Sequence, residues 1–141
     1  MEIKIARSEQ DYLNCLEVLK HLRPHLTTEI LLNLISEMEK ESYTLIYAEE
    51  NGNITSACGF RYLTTLFEGR FIYIDDLTTA PEYRGKGYAG ALFDYVVEKA
   101  KSESLNAVHL DSGHQRYDAH RLYLNKKMKI VYHHFRLGLK E

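Results

Sequence analysis

The chain has 141 residues, 45% hydrophobic and 27% charged, with a formal net charge of −2. That length suits one domain with its own core, expected to span residues 1–141, and that charge provides no global attraction to nucleic acid. The sequence shows no signal-peptide pattern and no apolar run of membrane-spanning length, so the expectation is a cytoplasmic domain with neither a nucleic-acid nor a membrane partner. Cys15 and Cys58 fit no metal or redox spacing and are predicted to be unpaired and buried.

Ile3 and Ile5 alternate with Glu2 and Lys4, as in a short opening strand. Ser8 can cap a helix whose apolar stripe is Tyr12, Cys15, Leu16, Leu19 and Leu22, ending at Pro24. Thr28 is the cap candidate for a second helix, lined by Ile30, Leu31, Leu34, Ile35 and Met38. Thr44–Glu49 and Ile54–Leu66 read as strands joined by Asn51-Gly52, a strong hairpin signal. Gly59 is a candidate bulge position. Glu68-Gly69 turns the chain into a third strand, making an antiparallel meander. An exposed part of that meander is a candidate surface for a second copy of the chain.

The third strand opens the most informative stretch, Phe71 to Ala100. Phe71-Ile72-Tyr73-Ile74 favours a strand, and Ala91, Leu92, Tyr95, Val96, Lys99 and Ala100 recur at helical steps. Between them, residues 81–90 form a basic, glycine-rich turn that feeds a helix N-terminus. Backbone N–H groups there lack intrahelical partners, the helix dipole adds positive potential, and glycines let an anion approach. Arg84 and Lys86 add full charges. The combination predicts a cradle for a pyrophosphate.

Two motifs compete for that cradle. Gly85, Gly87 and Gly90 spell G-x-G-x-x-G, with Asp111 about 20 residues on, as a dinucleotide fingerprint would have it. Against this, Thr78 to Arg84 intervene after the strand, and the chain beyond Asp111 is too short for a doubly wound domain. The other motif, R-x-x-G-x-A from Arg84 to Ala89, resembles the acyl-coenzyme-A signature of the GNAT superfamily of N-acetyltransferases. Downstream, Ala107–Leu110 reads as a short strand, Asp118–Met128 as a helix and Ile130–Leu139 as a last strand. Ala119, Leu122 and Tyr123 match the family's A-x-x-(F/L)-Y helix, although Lys127-Met128 stands where a glycine and an aromatic are usual.

The element order β-α-α-β-β-β-α-β-α-β gives an α/β fold, a three-layer α/β/α sandwich on a mixed, mainly antiparallel sheet. The resemblance implies the acyl-CoA N-acyltransferase fold, with acetyl-CoA as co-substrate and no metal. It implies that the backbone of Leu77, Thr78 and Thr79 pairs with the pantetheine arm. It also implies that Arg84, Gly85, Lys86, Gly87, Tyr88 and Ala89 hold the pyrophosphate, and that Tyr123 lies beside the coenzyme sulfur.

Acetyl transfer needs a neutral amine and protonation of the leaving thiolate. Neutralising a lysine-like amine at pH 7 costs roughly 4–5 kcal/mol, so a nearby carboxylate helps. Asp75 and Asp76 end the central strand, and alternation sends only one into the cleft unless a bulge intervenes. The alternative is that both are solvated or cap a loop. Some polyamine acetyltransferases resemble this segment in having two acids before the turn, which points to a cationic acceptor. A phenol with pKa about 10 can serve as the acid, so Tyr123 is the candidate, its alternative being a core tyrosine. His109, His114, His120, His133 and His134 with Asp111 match no metal-ligand set. The acceptor, a small-molecule or peptide amine, would be chosen by the Leu22–Thr28 loop and the Leu66–Arg70 turn. A coenzyme-A-binding sensor without turnover is the competing function.

Overall fold

The structure, a computed structural model, describes residues 1–140. Five strands form one sheet whose spatial order repeats the chain order: β1 (Glu2–Ile5), β2 (Thr44–Glu50), β3 (Asn53–Thr65), β4 (Gly69–Thr79) and β5 (Val108–Leu110). The first three pairings are antiparallel and β4–β5 is parallel, as a helical crossover between β4 and β5 requires. Asn51 and Gly52 both take positive φ, 51° and 80°, the two-residue hairpin geometry expected of Asn-Gly.

The helices are α1 (Glu9–Asn14), α2 (Leu16–Lys20), α3 (Thr28–Glu39), α4 (Tyr88–Ser102) and α5 (Tyr117–Asn125). Ser8 starts α1 with a capping box, its hydroxyl taking the Asp11 N–H while the Asp11 carboxylate takes the Ser8 N–H. One helix expected from Ser8 to Leu22 is instead two, broken at Cys15. The second cap is Thr27 rather than Thr28: its hydroxyl accepts the Ile30 N–H at 3.2 Å, and Thr28 is already helical.

The chain divides into two compact units, Met1–Leu110 and Asp111–Glu141. In the first, Leu45, Tyr47 and Ala57 bury one sheet face against Tyr12, Cys15, Val18, Leu19, Leu31 and Ile35 of the first three helices and the residue linking α1 to α2. Strand alternation turns Ile46, Ala48, Cys58, Phe60 and Ile72 to the other face, where α4 packs through its buried Leu92, Phe93 and Val96. Both cysteines are free and fully buried. Burial pushes the Cys15 thiol up to about 12 and raises that of Cys58 as well, so neither is a ready nucleophile.

In the second unit α5 is shorter than expected, and Ile130–Leu139 is not the predicted last strand. Residues 129–138 carry no regular structure, and Ile130, Phe135, Leu137 and Leu139 are exposed. High β-propensity reports fit to a pleated, half-buried surface and needs a neighbouring backbone to express itself. Among the described residues no strand pairs with this segment.

Candidate active site

β4 is bordered differently along its length. Its partner β3 follows it to the end, with Cys58 opposite Leu77, Ala57 opposite Thr78 and Ser56 opposite Thr79. β5 accompanies it only from Ile72 to Ile74. Among the described residues Asp75 to Thr79 therefore have a strand neighbour on one side only, and an unpaired strand edge offers backbone donors and acceptors to an extended ligand. Leu77, Thr78 and Thr79 lie on this edge.

The ladder also slips between Gly59 and Phe60: Gly59 faces Asp76 and Phe60 faces Ile74, so Asp75 is an extra residue in β4. A bulge of this kind re-aims a side chain. Both acids consequently reach groups on the α1–α3 side of the sheet. Asp75 is gripped by Arg61, whose Nη2 donates to Oδ1 at 2.6 Å and whose Nε donates to Oδ2 at 3.0 Å; Arg61 Nη1 also donates to Glu41 at 2.9 Å. Asp76 Oδ1 accepts from Arg23 Nε at 3.0 Å, and Oδ2 accepts from the Tyr43 hydroxyl at 2.8 Å. Burial raises the Asp75 pKa, with Arg61 acting in the opposite direction. Burial and the Asp76 charge raise that of Tyr43 well above its usual value, so the phenol is a fixed donor. Gly59 makes this possible, because a Cβ there would sit 1.7 Å from the Tyr43 hydroxyl.

β4 runs directly into the cradle through Ala80 and a single 3-10 turn, Pro81–Tyr83. Gly85 and Gly87 have φ of 77° and 88°, left-handed values that favour glycine, and a Cβ at either would meet nothing within 4 Å. Gly87 is the N-cap of α4 and supplies no side-chain cap. Arg84 Nε donates to the Thr79 carbonyl at 3.2 Å, Lys86 lies over the Tyr83 ring, and the Tyr88 hydroxyl donates to Glu50 at 3.3 Å. The open space before two glycines, an uncapped helix start and two cations suit a diphosphate. Among the described residues no group of three or more His, Cys, Asp or Glu side chains could hold a metal ion.

Asp75, Asp76, the Leu77–Thr79 edge and residues 84–89 are thus brought together within the first unit. Tyr123 belongs to the second, on α5, in the half-covered stripe with Ala119, Leu122 and Lys126. Its carbonyl accepts the N–H groups of Lys126 and Met128, while Lys127 takes φ 71°. Lys127 therefore occupies the left-handed position after a helix that glycine usually fills. Sequence reasoning missed Arg23, Tyr43 and Arg61. Their signals were present: Arg61 is a lone charge in an apolar strand, and Gly59 is a mid-strand glycine that marks a close approach.

A five-stranded mixed sheet with flanking helices, in which β4 parts from β5 after Ile74, is the acyl-CoA N-acyltransferase fold. Residues 8–128 match the Acetyltransferase (GNAT) family, and the chain belongs to it. It is 34% identical over 127 residues to YhdJ, an uncharacterised N-acetyltransferase of Bacillus subtilis (strain 168), covering 89% of both chains. Its fold is also that of ribosomal-protein-alanine N-acetyltransferase from Brucella melitensis biovar Abortus 2308, with TM-score 0.81, 18% identity and coverage of 99% and 100%. Glucosamine-6-phosphate N-acetyltransferase from Arabidopsis thaliana is similar too, with TM-score 0.77, 17% identity and the same coverage.

Proposed function

We propose that this chain, acting as one acetyltransferase domain over residues 1–141, moves the acetyl group of acetyl-CoA to a primary amine of a small molecule or peptide in the cytoplasm. The observation that carries the reading is the pair Gly85 and Gly87, left-handed and facing open space, between Arg84 and Lys86 at an uncapped helix start. Acetyl-CoA supplies the activated acetyl thioester. The N–H groups of residues 85–89 hold its pyrophosphate, the Arg84 N–H being given to the Pro81 carbonyl, and the Arg84 and Lys86 side chains neutralise charge. The backbone of Leu77, Thr78 and Thr79 orients the pantetheine arm along the open edge of β4.

The amine must shed a proton, and Asp76 is the better placed acceptor of the two acids. Both oxygens of Asp75 are taken by one guanidinium. Asp76 Oδ1 accepts a single N–H, from Arg23, whose side chain is 44% exposed, and Oδ2 accepts the Tyr43 hydroxyl. Tyr123 Oη holds the proton for the leaving sulfur. Two proteins sharing this fold act, by name, on a ribosomal-protein alanine and on glucosamine-6-phosphate, so fold alone does not choose the acceptor.

Acetyl-CoA at saturating concentration raises the melting temperature by several degrees and NADH does not; Gly87→Val abolishes the shift, because its side chain fills the phosphate's approach. A folded Gly87→Val protein with unchanged acetyl-CoA affinity overturns the assignment. One observation favours a second reading, a coenzyme-A-binding sensor: both acids are already ion-paired. A full thermal shift with no thiol release on any amine would select it.

A further inference from the structure

The two acids of the cleft are covered by the arginines that bind them. The Asp75 and Asp76 side chains are 13% and 14% exposed, whereas that of Arg23 is 44% exposed. A ligand approaching Asp76 from solvent therefore meets a guanidinium before it meets a carboxylate. Glu41, 62% exposed, is paired with Arg61 and belongs to the far side of that pair.

Arg23 is also held in a particular way. Its Nε donates to Asp76 Oδ1 and its Nη2 to the Asp75 carbonyl, both at 3.0 Å. These two bonds use the side edge of the planar group. An arginine has five N–H donors, and the end edge, Nη1 with the second N–H of Nη2, remains. That edge matches the two oxygens of a carboxylate. Because Asp76 and the β4 backbone already fix the side chain, binding through the end edge sacrifices little further rotamer freedom. No carboxylate opposes it nearby: Lys20 and Arg23 fall within nine residues, 20–28, that contain no Asp or Glu.

We propose that the acceptor is an amine carrying a carboxylate close by, an amino-acid-type zwitterion, and that Arg23 is the residue that binds the carboxylate. This rests on the acetyltransferase reading and names its substrate class. It departs from the cationic acceptor that two adjacent acids suggest, since a dication would have to displace Arg23 from Asp76 and Arg61 from Asp75. The acceptor's ammonium faces Asp76 while its carboxylate is gripped by the end edge of Arg23. Charge-assisted bonds of this kind correspond to about a 10- to 100-fold preference.

The test is a thiol-release assay on matched pairs, each amino acid beside its decarboxylated amine: lysine and cadaverine, ornithine and putrescine, phenylalanine and phenethylamine. In the wild type at least one amino acid exceeds its amine in kcat/KM by about 10- to 100-fold. Arg23→Gln collapses that ratio toward one through the KM of the amino acid, and Arg23→Lys retains part of it. Amines that outrun their amino acids throughout, or a ratio that Arg23→Gln leaves intact, overturn the proposal while acetyl transfer stands. The wild-type comparison decides this even if a variant fails to fold. An acetyl-CoA thermal shift without turnover of any pair overturns the transfer reading, and this proposal with it.

Discussion

Gly59→Ala probes the geometry on which both cleft acids depend. The backbone at Gly59 is not in the left-handed region, so any cost comes from space. A Cβ would lie 1.7 Å from the Tyr43 hydroxyl oxygen, 2.3 Å from Cζ and 2.7 Å from Cε1, so the ring must move. Moving it breaks the 2.8 Å bond to Asp76, a hydrogen bond to a charged group that is worth about 1.5–3 kcal/mol. Displacing a buried ring in a packed core adds about 1–3 kcal/mol. The expected destabilisation is therefore about 2.5–6 kcal/mol, read as a lower urea midpoint at unchanged slope. A double-mutant cycle isolates the cause. In a Tyr43→Ala background the three atoms nearest the added methyl are gone, and Gly59→Ala costs under about 1 kcal/mol, a coupling of at least about 1.5 kcal/mol. A cost below about 1 kcal/mol in the wild type, or the same cost in both backgrounds, would refute the reasoning.

Three further outcomes follow from the same description. Asp76→Asn lowers turnover by about 10²- to 10⁴-fold, as loss of a general base does, whereas Asp75→Asn acts mainly on stability by stranding Arg61; equal effects on turnover would remove the distinction. Tyr123→Phe keeps the ring and lowers turnover by about 10²- to 10⁴-fold with acetyl-CoA affinity unchanged, and the defect shrinks with a more acidic thiol leaving group; full turnover would mean that another group, such as water, supplies the proton. Lys127→Gly relieves about 1–2 kcal/mol of left-handed strain and gives back about 0.4–1 in chain entropy, so unfolding should show a net gain of about 0.5–1 kcal/mol.

Local chemistry made much of this molecule legible. The Asn51-Gly52 hairpin, the Ser8 cap and the meander each depend on a few adjacent residues whose preferences agree with the fold. The junction of β4 with α4 was legible for the same reason: strand, basic glycine turn and helix are contiguous in the chain. Gly59 could be read as a bulge, but not that the bulge would bring Asp75 and Asp76 to one side. That depends on pairing between residues far apart in sequence. Arg23 and Tyr43 escaped notice for a related reason, since they reach Asp76 across 53 and 33 residues. Ile130–Leu139 shows the opposite failure: its composition favours a strand, yet no ladder forms on it among the described residues.

Acetyl-CoA turnover on an amine, followed as thiol release with the amide product identified by mass spectrometry, tests the central claim most directly. The account predicts stoichiometric thiol and amide from the wild-type chain, lost in Gly87→Val together with acetyl-CoA binding. An amide formed at the wild-type rate by a folded Gly87→Val protein, or no amide from wild-type protein across amines and amino acids, would contradict it.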